Sequence, residues 1–232
     1  MTSPSPSWSG FSASLRWEVI RWVRSRRVFL LAVPVVAGPV GSLLAFLYLK
    51  VASSDTAGLL GVLVVGALSG LVVLDLCALS IGEELSRRSH GPLLLLPVRR
   101  SALYAGRATA VLGATLGAYG IGALEVLELA HLLVPGSGSQ VLALEPVHVA
   151  LGMLAFLFLL GAVAFVAALV TGSASEALGL GVLAGFSVSV LLVYLLLERA
   201  LTLAVPAGLA VAGAATLLLG LRTYVQMDVG GS

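Results

Sequence analysis

Residues 57–81 read "AGLLGVLVVGALSGLVVLDLCALSI". One side chain in the stretch carries a charge at neutral pH, Asp75. A bilayer's hydrocarbon core is about 30 Å thick, and a helix needs about 20 apolar residues to cross it. The apolar residues here follow one another without the alternation of a strand that faces water on one side. A helix is therefore expected, and a barrel is disfavoured.

The rest of the chain repeats this pattern. Of its 232 residues 59% are hydrophobic and 10% charged, with a mean hydropathy of +1.10. A water-soluble domain carries roughly 25% charge, so too little polar surface exists here to cover one. The expectation is an all-α, polytopic membrane bundle. Six spans can be drawn, at 28–49, 57–81, 101–133, 147–170, 177–197 and 201–221. The first contains Pro34 and Pro39 and should bend there. The apolar run of that first span exceeds a signal peptide's core of roughly 7–15 residues, so a retained span is expected. The third is longer than a bilayer needs and should project into water.

Before the first span, Trp8, Phe11, Leu15, Val19 and Trp22 recur at helical spacing, with Arg16, Arg21, Arg24 and Arg27 off the stripe. Tryptophan and arginine together suit the headgroup layer. Residues 11–27 thus read as an amphipathic helix on the membrane face. Three parts result: an N-terminal segment 1–27, a six-helix domain 28–222 with a charged loop at 82–100, and a polar tail 223–232.

The basic residues orient the spans. Arg16, Arg21, Arg24, Arg26 and Arg27, then Arg87, Arg88, Arg99, Arg100 and Arg107, then Arg222 all fall on one side. Lys50 and Arg199 fall on the other. Both termini and the charged loop are expected in the cytoplasm, and the protein in the cell membrane as a multi-pass protein. The arginines follow membrane topology, so no nucleic-acid partner is expected.

Several chemistries lack their residues. Lys50 is the only lysine and has no glycine-rich phosphate loop around it. No HExxH zinc motif is present. Ser69 in "GALSG" has no histidine at the same expected depth to act as a base. Cys77 is the only cysteine, so no intrachain disulfide forms, and a small buried hydrophobe is its expected role.

The loop, "GEELSRRSHGPLLLLPVRRSALYAGR" over residues 82–107, is the one charge-dense stretch. Glu83 and Glu84 stand four residues before Arg87 and Arg88, an arrangement that supports a helix. The second span should therefore continue past the membrane. Leu93, Leu94, Leu95 and Leu96 then form an apolar patch, cut by Pro97 and followed by Arg99 and Arg100. Such a patch bracketed by charge suits docking of another protein; its leucines could also rest in the headgroup layer.

These residues resemble the membrane subunits of type-2, exporter-like ABC transporters. Those subunits have an amphipathic helix, then six spans with both ends cytoplasmic. Their second and third spans are joined by a glutamate, Gly-Thr-Leu-Glu, leucines, a proline, a small or basic pair and a later Gly-Lys. This chain is similar at Glu83, Glu84, Leu93 to Leu96, Pro97, Arg100 and Gly106, with Arg107 in place of the lysine. It departs at Arg88 and Ser89, at Gly91, and in having no sizeable segment between its last two spans on the outer side. The resemblance implies a coupling helix near residues 92–97 that seats on a separate ABC ATPase subunit. It implies that Glu83 to Arg88 move with that ATPase, and that a second permease subunit, identical or homologous, completes the path. It implies ATP and magnesium on the ATPase, with no catalytic residue, cofactor or metal in this chain.

Two further clusters stand out. Asp75 and Arg107 lie at similar depth on neighbouring spans by this reading, and an intramembrane ion pair is expected; the alternative is that Asp75 faces a watery vestibule and Arg107 reaches up to the headgroups. On the outer side, Glu125, Glu128 and His131 follow one another at three-residue steps, and Glu145 and His148 flank the fourth span. Carboxylates with imidazoles can hold a divalent metal or approach a haem iron; they can also be a solvated helix end. The haem option defines the alternative function, a membrane anchor of a redox or haem-handling complex. A secondary transporter would show an inverted repeat and broken helices, and neither is evident.

Overall fold

The computed structural model describes residues 6–49, 54–86, 99–133, 144–197 and 204–226. No strand occurs among them. The elements are α1 (Pro6–Arg24), α2 (Gly38–Leu49), α3 (Ser54–Ser86), α4 (Arg100–Leu133), α5 (Leu144–Thr171), α6 (Ala174–Leu197) and α7 (Ala204–Gln226). Five stretches are long and apolar enough to cross a membrane: Arg27–Leu49, Thr56–Gly82, Arg100–Leu133, Pro146–Thr171 and Ala204–Gln226. Helix α6, Ala174–Leu197, occupies the place expected for the fifth of six spans. The chain is thus a membrane-embedded helical protein.

The first span is built in three gaits. A 3₁₀ turn covers Arg27–Leu31, a π turn covers Val33–Ala37, and α2 follows. The two prolines bring this about. Pro39 has no N–H to donate, and the ladder widens ahead of it, with the Gly38 N–H reaching Val33 O. Arg26 separates α1 from this span at φ 60°, in the left-handed region. The chain turns a corner there that a right-handed helix could not.

Helix α3 is the central element, with α5 and α4 as its main neighbours. At 33 residues it is about 50 Å long, well beyond a hydrocarbon core of about 30 Å. The second span does run on as a helix, through Glu83 and Glu84 to Ser86. Helix α4, with 34 residues, is equally long, as its sequence foretold. Helix α5 meets α6 through a tight corner. Gly172 adopts φ 64° and its N–H reaches Ala168 O. Ser173 then caps α6, its hydroxyl accepting from the Glu176 N–H at 3.4 Å. Ser173 and Glu176 form the Ser-x-x-Glu pair that starts helices.

Two features differ from expectation. Helix α1 runs from Pro6 rather than residue 11, and its inward face is Ser14, Glu18 and Trp22. Val19, placed on the apolar stripe by its spacing, is exposed. In lipid an apolar side chain loses nothing by facing outward, whereas Ser14 and Glu18 gain by facing protein. The last helix extends through Gln226, so residues 223–226 belong to it and not to a tail. Tyr224 is 1% exposed and its ring stands 5.6 Å from that of Tyr104.

Close approach sets the packing. A Cβ on Gly122 would stand 2.3 Å from Pro34 O, so α4 touches the backbone of the kinked first span. Gly122→Ala should lower stability by at least about 1–3 kcal/mol, the range for overpacking. Gly113→Ala, where a Cβ meets nothing within 4 Å, should leave it unchanged or slightly higher. Thermal unfolding of both variants in mild detergent checks this.

Candidate functional site

Three regions carry polar side chains in places where lipid or protein would disfavour them. The first is the arginine-rich end of the bundle. Here α1 lies across α3 and α4. Ser14 donates its hydroxyl to Leu103 O at 2.9 Å. Gly106 makes room for this contact, since a Cβ there would fall 2.7 Å from the Ser14 Cβ and 2.9 Å from Phe11 O. One turn on, Glu18 is fully buried. Its Oε1 accepts from the Ser80 hydroxyl at 2.9 Å and pairs with Arg21 Nη2. Arg21 Nη1 also donates to Ser80 O at 2.9 Å. A carboxylate, a guanidinium and a hydroxyl thus lock α1 to α3. Sequence reasoning missed Glu18. The signal was there: it is the only acidic residue before Asp55, three positions ahead of an arginine.

Arg107 and Asp75 belong to the same end. Arg107 is 2% exposed and Asp75 is half-buried; both engage other groups of the chain. The antiparallel register of α3 and α4 follows from their glycines. Gly61 meets Val126, and Gly122 meets Val65. Carried along, that register sets Arg107 level with Ser80 and Asp75 level with Leu112. The two ionisable residues are therefore offset by about five residues, or roughly 7 Å along the axis. Arg107 lies at the height of the Glu18–Ser80 cluster.

The second region is the loop. Glu83 and Glu84 lie on the last turns of α3, with their side chains outside the described residues. Arg87, Arg88, Leu93, Leu94, Leu95, Leu96 and Pro97 lie outside the described residues altogether. Arg99 is exposed and its carbonyl accepts from the Ala102 and Leu103 N–H groups, starting α4. Arg100 Nη1 donates to Val225 O at 3.3 Å, tying α4 to the end of α7. Tyr104 strengthens that tie through its hydroxyl bond to Leu217 O at 2.9 Å and an edge-to-face contact with Phe165 at 5.3 Å.

The third region is at the opposite end. A groove of about 550 Å³ runs between α4 and α5. Tyr119 lies at its deep end and donates to Ala150 O at 3.1 Å. Leu124, Leu127 and Leu151 line its length, and Glu128 and His131 its mouth. Of the five outer residues singled out by sequence, these two come together at the groove. Glu125 and His148 are half-buried and do not line it. The side chain of Glu145 lies outside the described residues. Among the described residues, no group of three or more histidine, cysteine, aspartate or glutamate side chains gathers as a metal site would need.

Comparison with family models, with curated proteins and with solved structures returns no significant match.

The Glu18 cluster can be tested directly. Ser80→Ala removes one donor from a buried carboxylate. Glu18→Ala leaves Arg21 without its carboxylate partner. Stability should fall by about 1 kcal/mol in the first and about 2–3 kcal/mol in the second. Thermal unfolding measures the loss, and limited proteolysis should show cleavage between α1 and the first span in Glu18→Ala before the rest of the chain is cut.

Proposed function

We propose that this chain is the permease subunit of an ABC exporter, crossing the membrane six times and driven by ATP hydrolysed on a separate subunit. The observation that carries this reading is the length of α3 and α4, the two helices on either side of the charged segment 82–107. Both helices are about 20 Å longer than a hydrocarbon core. Glu83 and Glu84 lie on a helix that continues beyond the apolar stretch ending at Gly82. Gly106, one of the residues behind the family resemblance, seats α1. The leucines at 93–96 are the docking patch in this reading, and Glu83, Glu84, Arg87 and Arg88 form the lever beside it.

The lever has somewhere to push. Ser80 stands one turn before Glu84 on the same helix, and its hydroxyl and carbonyl hold Glu18 and Arg21 of α1. Rotation or tilt of this end of α3 moves α1 with it. Asp75 and Arg107 form an ion pair behind the lever in this reading, bridging their axial offset with the long arginine side chain. A second permease subunit faces this one across the transport path. ATP binding shifts the population between two arrangements of such a pair.

Two experiments check the reading. Leu94→Asp with Leu95→Asp puts two charges into the patch. Co-purification with the partner ATPase should be lost while the permease keeps its melting temperature; retention of the ATPase would refute the docking role. For the ion pair, Asp75→Asn should lower stability by about 3 kcal/mol if the pair is buried. The exchange Asp75→Arg with Arg107→Asp should recover part of the loss. Single variants as stable as the parent protein would show that no pair exists.

A further inference from the structure

The α4–α5 groove has the dimensions and polarity of a site for one amphiphile. From Tyr119 at its deep end to His131 at its mouth are twelve residues of one helix, or about 18 Å. That is close to the depth of one leaflet, half of a core about 30 Å thick. Its volume of about 550 Å³ falls within the range of roughly 300–1,000 Å³ for small-molecule sites. The lining is apolar throughout that depth and becomes polar only at the end, where Glu128 and His131 stand one turn apart and exposed. Neither donates to or accepts from another side chain among the described residues.

Among the described residues the mouth carries the Glu128 carboxylate. Glu125 stands one turn before Glu128 on the same helix. The described residues at this end of α4 and α5 include no lysine or arginine. A cation is drawn to such a mouth, and an anion is repelled from it. We propose that the groove takes the alkyl chain of a cationic amphiphile from the leaflet, with its ammonium group at Glu128. Tyr119 closes the deep end, since its hydroxyl is held by Ala150 O. His131 borders the headgroup and can accept a hydrogen bond from the ammonium. As a statement about what the protein moves, this rests on the permease reading. As a statement about binding it concerns this chain alone.

The test uses the full chain in phosphatidylcholine nanodiscs, without an ATPase. Two photoreactive probes share a twelve-carbon chain bearing a diazirine: an amine, charged as ammonium at pH 7, and the matching carboxylate. Labelled residues are mapped by mass spectrometry after photolysis. The amine should label Leu124 and Leu151 about tenfold more than the carboxylate does. Glu128→Gln should remove that preference, and Leu124→Trp should suppress labelling of Leu151 by filling the groove. Both substitutions fall at exposed positions, and unchanged melting temperatures confirm that they fold. Equal labelling by the two probes, labelling away from the groove, or a preference that survives Glu128→Gln would overturn the proposal. So would a Leu124→Cys variant that crosslinks to a second copy and excludes the amine, since the groove would then be a seam between copies. The docking experiment on Leu94 and Leu95 is independent, so either result can fail without the other.

Discussion

A polar atom within hydrocarbon must find its partner inside the chain, because no water is there to accept it. That constraint shapes this structure more than any single contact. It makes the backbone helical, and it disposes of the side-chain hydroxyls. Ser42, Ser69 and Thr115 each donate to the carbonyl four residues earlier, at 2.8 Å. Thr216 and Thr223 do the same on α7. Ser69, the residue that invited comparison with a nucleophile, is engaged in this way with Val65 O. Where a polar group is too large or charged for such a local solution, it reaches across helices. Tyr104, Tyr119 and Glu18 do so, and each joins two or more elements.

The same constraint separates what the sequence reveals from what it hides. The long apolar runs announce themselves by length alone, and their order follows from it. Pro34 and Pro39 mark the broken first span because proline cannot donate to the ladder. The Ser173–Glu176 capping pair at the start of α6 is a signal of the same kind, acting over four residues, and sequence reasoning missed it. All of these signals are local. The inward face of α1 is not local. Its apolar stripe resembles that of a helix lying on water, where the greasy side faces in. In lipid the rule relaxes: Val19 turns outward, and Ser14 and Glu18 turn toward the bundle beside Trp22. Their partners, Leu103 and Ser80, are far along the chain, and spacing carries no trace of them.

The candidate sites divide in the same manner. Glu128 and His131 were visible as neighbours on one helix, but the groove they guard depends on how α5 packs against α4. The depth of Asp75 was readable from its place in a run of 25 apolar positions. Its offset from Arg107 needed the register of two helices, which close glycine contacts set. Glycine is frequent in the sequence, yet frequency does not distinguish Gly122, pressed against Pro34 O, from Gly113, where a Cβ would meet nothing within 4 Å.

The lock between α1 and the bundle has a consequence for the order of assembly. Helix α1 leaves the ribosome before α3 and α4. Its partners Ser80 and Leu103 follow 62 and 89 residues later. At about 5–20 residues per second, Leu103 is made roughly 4–18 seconds after Ser14. Until Ser80 is made, roughly 3–12 seconds after Glu18, the Glu18 carboxylate has no hydroxyl to receive it and belongs in water at the membrane surface. A helix made before its partners must therefore wait for them before it docks.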